Sequence, residues 1–226
     1  MAGKILVAGA TGGVGQEVVK QLIDQGTPMR ALVREEARAR SLLGDVELAV
    51  GDTTDTPSLV LALSGSDYVI CATGARATDG GNSQAVDYEG VRNLAAAAKI
   101  SGLAHFVLVS TIFATHHDHP LNQFGRVLEW KFAGENAVRI SSVPYTIVRP
   151  GSLTDEPGGR RALVFDQGDR ISGRITRADV ATVCIQSLWQ PGARRATFEV
   201  IEADGPPPGD WAALFDVLIP DDTTSQ

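Results

Sequence analysis

Two apolar patterns alternate along the chain. Short runs that are apolar almost throughout occur at Lys4–Ala8, Met29–Val33, Val46–Val50, Tyr68–Ala72, His105–Val109 and Tyr145–Val148. Such runs, rich in β-branched residues and lacking polar alternation, predict strands covered on both faces. Between them lie longer stretches with helical periodicity, at Gly13–Gln25, Glu36–Leu43, Thr56–Leu63, Ala85–Ile100 and Arg126–Ile140. In Ala85–Ile100 the residues Val86, Val91, Leu94 and Ala98 share one helical face. Connections of this length imply parallel pairing, because antiparallel neighbours need only tight turns. The pattern predicts an α/β chain with a doubly wound, mostly parallel sheet between two helical layers.

The alternation weakens after Arg149. Pro150-Gly151 is expected to end the sixth strand, and a stretch rich in Gly and Arg follows up to Gly173, with no readable substrate code in Leu153–Gly173. A helix at Ala178–Trp189, a strand at Thr197–Ile201 and a helix at Asp210–Leu218 complete the prediction. This tail is too short and too weakly apolar to stand alone. Residues 1–226 therefore read as one domain, with a core at 1–150 and an extension at 151–226 over the carboxyl edge of the sheet, where open α/β folds hold ligands. The polar end, Asp221–Gln226, is expected to fray.

Composition narrows the partners. Twenty Lys and Arg against 27 Asp and Glu give a charge of −7, the wrong sign for a duplex nucleic-acid binder. Trp130, Trp189 and Trp211 are scattered and read as packing residues. The opening run Ile5–Ala8 is too early and short for a signal peptide, and no stretch has the roughly 18 apolar residues of a membrane span. The reading is a cytoplasmic chain that acts on a small molecule, with no membrane or nucleic-acid partner and no feature that sets an oligomeric state. Cys71 and Cys184 are far apart and read as buried thiols. His116-His117-Asp118-His119 lacks the i, i+4 spacing of a helical metal pair, so no metal site is expected; it reads as a polar loop that follows Ser110 and Thr111 and so rims a substrate site there, with a histidine as the alternative proton donor.

The most informative stretch is Ile5-Leu6-Val7-Ala8-Gly9-Ala10-Thr11-Gly12-Gly13-Val14-Gly15, a strand running through a glycine turn into a helix. Gly9 permits a tight turn, Gly12 lets the backbone approach a diphosphate, and Gly15 permits close helix–strand packing. Free N–H groups at the helix start then meet negative phosphates. The spacing is G-x-x-G-x-x-G.

This turn, with Ala10-Thr11 inside it, resembles that of the extended and atypical short-chain dehydrogenase/reductases. Further blocks share the resemblance: Ala31–Arg34, Gly51-Asp52, Val86–Val91, Phe106–Ser110, Pro144–Gly151 and Arg177–Ala181. Together they cover nearly the whole chain, and the resemblance implies a Rossmann fold that binds a nicotinamide dinucleotide. Gly9 through Gly15, with Ala10, Thr11, Gly12, Gly13 and Val14, would hold the diphosphate. Arg34, ending the second strand, would meet a ribose 2′-phosphate, which favours NADP(H) over NAD(H); Glu35 and Glu36 are the residues that would instead take a ribose hydroxyl. The resemblance places Asp52 and Thr53 at the adenine, Ala72, Thr73 and Gly74 under the adenosine half, and Ser110, Thr111, Lys131 and Pro150 toward the nicotinamide.

Members of this superfamily often use a serine, a tyrosine and a lysine. Ser110 and Lys131 match the serine and the lysine. The tyrosine is missing: one helical turn before Lys131 stands Val127, and no tyrosine lies in His116–Lys131. Three readings stay open: a reductase of flavins, quinones or aldehydes that takes its proton from water or Lys131, a redox-responsive NADP(H) binder, and a nucleotide-sugar epimerase. The last also wants the tyrosine.

Overall fold

The computed structural model describes residues 3–75 and 82–221. The chain runs β1 (Ile5–Ala8), α1 (Gly13–Asp24), β2 (Met29–Val33), α2 (Glu36–Leu43), β3 (Leu48–Val50), α3 (Thr56–Leu63) and β4 (Tyr68–Cys71). After a π-helical turn at Gln84–Gly90 come α4 (Val91–Ile100), β5 (His105–Val109), α5 (Val127–Ile140) and β6 (Tyr145–Pro150). The remainder holds β7 (Ser152–Thr154), β8 (Ala162–Asp166), β9 (Arg174–Thr176), α6 (Arg177–Ser187), β10 (Ala196–Ala203) and α7 (Trp211–Phe215).

The main sheet has the order β3-β2-β1-β4-β5-β6-β10-β8, parallel throughout except for the β10–β8 pair. The chain winds outward both ways from β1, so the order reverses between β1 and β4, and ligands of open α/β sheets bind at that reversal. Helices cover both faces, giving the expected three-layer Rossmann architecture. In β1, Ile5 and Val7 join the core that includes α1 and α6, while Leu6 and Ala8 join the core that includes α3 and α4. Side chains alternate between faces with period two. With both faces covered, every residue of the run must be apolar.

The C-terminal half departs from expectation. β6 runs through Pro150, whose carbonyl accepts from the Ile112 N–H at 3.1 Å; the missing N–H does not end the strand because only the acceptor is used in that bond. Two strands of residues 151–221 do not lie over the carboxyl edge but extend the sheet: β10 pairs with β6, and β8 forms the far edge. The predicted Ala85–Ile100 helix begins as the π turn. Asp221 does not fray, since it accepts from the Tyr145 hydroxyl at 2.9 Å and the Thr197 hydroxyl at 2.7 Å; Asp222–Gln226 lie outside the described residues. Cys71 and Cys184 are buried, and burial pushes both thiols above their ordinary range. No helix among the described residues is long and apolar enough to cross a membrane.

His105 gives a first prediction. It is fully buried, with Nε2 2.8 Å from the Thr146 oxygen, whose own hydrogen goes to the Ala193 carbonyl. Nε2 must therefore donate, leaving Nδ1 without a partner. Burial, helped by Arg194, lowers the imidazole pKa from 6.5 to about 4. The unfolded chain thus takes up this proton first as pH falls. The contribution is constant above pH 6.5 and is lost between there and about pH 4, by about 3 kcal/mol. Urea melts at pH 7 and 4.5 should show a smaller decline for His105→Gln than for the parent; equal declines would refute the assignment.

Candidate active site

β1 delivers the chain to a turn that few residues could form. Gly9 has φ +77°, and a methyl group there would lie 2.5 Å from the Ala72 carbonyl. The Gly12 N–H closes the turn onto the Gly9 carbonyl at 2.9 Å. A methyl on Gly15 would fall 2.1 Å from that same carbonyl, so α1 seats directly on the turn. Gly12 caps α1 without a side-chain bond. The first-turn amides are thus left for a ligand, as a diphosphate site requires.

Beside the turn opens a cleft of about 490 Å³, within the range of small-molecule and cofactor sites. Gly9, Thr11 and Gly12 line one part; Val33, Arg34, Glu35 and Arg38 line another, where β2 passes into α2. Gly51, Thr53, Ala72, Thr73 and Gly74 complete its walls at the ends of β3 and β4. The residues present fit a dinucleotide: bare amides at a glycine turn, and two exposed guanidiniums where a ribose phosphate would sit. Arg38 was not anticipated. Its signal was its place in the first turn of α2, the helix that follows the end of β2.

Other expected contacts lie elsewhere. Ala10 and Val14 are buried in the core. Asp52 does not line the cleft; its Oδ1 accepts from the backbone and hydroxyl of Thr54, both at 2.8 Å, and these bonds, with Arg34 nearby, hold the carboxyl below its usual range. Ser110, Thr111, Lys131 and Pro150 also lie beyond the cleft lining.

Lys131 comes up under the loop that ends β4. A methyl on Gly74 would stand 3.7 Å from Lys131 Nζ and 3.8 Å from Asp87 Oδ1. Nζ bonds that Oδ1 at 2.9 Å, with the Asp87 side chain only 1% exposed. Asp87 sits in the π turn, a distortion frequent at functional sites. One turn further along α5 from Lys131, about 6 Å along the axis, is Glu135. Ser110 donates to its Oε1 at 2.6 Å.

The family resemblance implies that this serine orients the substrate. Its hydroxyl hydrogen is engaged by Glu135, so toward any ligand Ser110 offers its oxygen as acceptor. Glu135 also accepts from Arg149 Nε at 2.9 Å, Arg149 Nη2 at 2.6 Å and Arg139 Nη2 at 3.0 Å. Burial opposes the Arg149 charge, but Glu135, Asp169 and Glu199 outweigh it and hold its pKa above the ordinary arginine value. Asp87 and Glu135 escaped the sequence reading because each looks like an ordinary helix-surface carboxylate.

Tyr68 meets the edge of Trp189, Tyr88 stacks with Trp130, and Tyr145 bonds Asp221. The histidines diverge: His116 Nε2 lies 3.1 Å from the Asp169 carbonyl, His117 meets the edge of Phe132, and His119 stacks on Phe113.

The model of a family described as NAD(P)H-binding matches residues 9–191. The chain belongs to this NAD(P)H-binding family. Among similar proteins, sanguinarine reductase of Eschscholzia californica is 31% identical across 93% of this chain and 94% of its own length. An NAD(P)H azoreductase of Xenophilus azovorans is 32% identical across 87% and 67%. A putative NAD-dependent epimerase/dehydratase from Bacillus halodurans superposes with TM-score 0.80, at 27% identity over 95% of this chain and 99% of that one. The matched residues include the glycine turn and the residues lining the adjoining cleft.

Proposed function

We propose that this chain is an NADP(H)-dependent oxidoreductase, residues 1–226 working as one unit, that reduces a small conjugated or carbonyl acceptor of the flavin, quinone or aldehyde kind. It does so without a tyrosine proton donor. The observation that carries this reading is Lys131, paired with buried Asp87 and set against the β4 loop that also lines the coenzyme cleft. The names of two relatives, a sanguinarine reductase and an azoreductase, support the reductase class.

The bound coenzyme supplies hydride. The amides after Gly12 hold its diphosphate, while Arg34 and Arg38 take the ribose phosphate. An ammonium has three N–H groups, and one of those on Lys131 Nζ goes to Asp87. Another can bond the acceptor's oxygen or nitrogen and deliver a proton there as negative charge develops. Ser110, locked by Glu135, accepts a hydrogen bond from the bound pair and fixes its orientation.

The test is NADPH oxidation, followed by absorbance, against a panel of flavins, quinones and aldehydes. Turnover with one of these classes is expected. Tight NADPH binding with no turnover on any would instead assign a redox-responsive binding protein. Arg34→Glu should weaken NADPH about tenfold more than NADH, the equivalent of roughly 1.4 kcal/mol for one exposed phosphate contact. Equal weakening of both coenzymes by calorimetry would remove the ribose-phosphate assignment.

A further inference from the structure

We propose that Arg177 is a diphosphate-binding residue, which reaches the glycine turn from α6 and exchanges an exposed carboxylate for the coenzyme's phosphates. This rests on the NAD(P)H reading of the cleft and adds to it a residue from the C-terminal half of the chain.

Arg177 is the first residue of α6, a helix whose start is fixed from two sides. Thr176 caps it by accepting from the Asp179 N–H at 3.0 Å. Gln21 of α1 donates to the Ala178 carbonyl at 2.8 Å and accepts from the Thr182 hydroxyl at 3.0 Å. The arginine stem therefore projects from a rigid base beside α1. It lies on the phosphate turn: a methyl on Gly13 would come 2.7 Å from both Cδ and Nε of Arg177. Gly13 opens α1, where backbone N–H groups face a diphosphate. Glycine at 13 is what allows the guanidinium stem to rest on that backbone.

The partner of the guanidinium is ill-suited to be permanent. Nη1 bonds Asp155 Oδ1 at 2.7 Å, and the Asp155 side chain is 88% exposed. An ion pair so open to water is worth little. A phosphate over the turn offers charge-assisted, two-point bonding to the same planar group. The adjoining pair, Arg174 with Glu156, is looser at 3.8 Å.

The diphosphate is common to NADP and NAD, so Arg177 must act differently from Arg34. Calorimetry on the full chain with NADP⁺, NAD⁺ and 2′-AMP separates the two. Arg177→Met keeps the stem and removes the charge. It should weaken NADP⁺ and NAD⁺ by the same factor, about tenfold, and leave 2′-AMP, which has no diphosphate, unchanged. Arg177→Lys should recover part of the loss, with unchanged far-ultraviolet circular dichroism for both variants. Parental affinity of Arg177→Met for both coenzymes would overturn the proposal, as would a loss confined to NADP⁺ or shared by 2′-AMP. Failure of the parent chain to bind either coenzyme would bring down the NAD(P)H reading itself, a result distinct from any of these.

Discussion

Lys131→Met is expected to slow turnover with the preferred acceptor about 100-fold, the lower part of the range for losing a positioned proton donor. The same change should destabilise the fold by about 3 kcal/mol, because a carboxylate nearly sealed from water at Asp87 loses its cation. A double-mutant cycle separates the two effects. Asp87→Asn alone leaves the ammonium without its carboxylate and should cost a similar amount. The double variant Lys131→Met/Asp87→Asn should regain most of the stability, since no buried charge is left unpaired, yet stay as slow as Lys131→Met. Urea denaturation and single-turnover NADPH oxidation measure the two quantities. Recovery of rate in the double variant, or an unchanged rate in Lys131→Met, would show that the lysine serves only to neutralise Asp87.

Arg149→Met should cause the largest loss of stability, about 4 kcal/mol at pH 7. Arg149 is 4% exposed, bonds both oxygens of Glu135, and has Asp169 at 3.7 Å and Glu199 at 3.8 Å. Without it, three buried carboxylates face one another with Arg139 as the remaining cation on Glu135. Burial already pushes the Glu199 carboxyl above its ordinary value of 4.5. Removing Arg149 should raise it further, because Arg149 is a cation that lowers it. A carboxyl whose folded pKa lies above its unfolded one binds more protons when folded, so it favours folding at low pH and loses that contribution as pH rises through the folded value. The deficit of Arg149→Met relative to the parent should therefore narrow from pH 7 to pH 5. A deficit below 1 kcal/mol, or one that widens on acidification, would contradict this account. The variant should also slow turnover, because Glu135 and with it the Ser110 hydroxyl lose their anchor.

The glycine turn was readable because its geometry is local. A strand, a glycine turn and a helix start occupy consecutive residues, so Gly9, Gly12 and Gly15 announce the backbone shape directly. Arg34 was readable by its place at the end of β2. The acid–base half was only partly so. Lys131 and the gap at Val127 follow from spacing along one helix. Their meaning depends on Asp87, 44 residues away in sequence, and on the loop after β4. The partner of the Ser110 hydroxyl was hidden for the same reason, since the carboxylate that takes its hydrogen comes from another element, α5. In the C-terminal half, β7 and β9 were missed because three residues show no periodicity, and β8, though five residues long, because the surrounding Gly and Arg mask it.

The sequence by itself determined most elements of the first 150 residues, their parallel winding and the glycine turn. These rest on periodicity and backbone sterics, which neighbouring residues set. Only the tertiary structure decided which polar groups meet in the interior (Lys131 with Asp87; Ser110 and Arg149 with Glu135), and that Arg177 lies against the glycine turn. Such pairs join residues far apart in the chain, and in sequence a buried, paired charge looks the same as one in water.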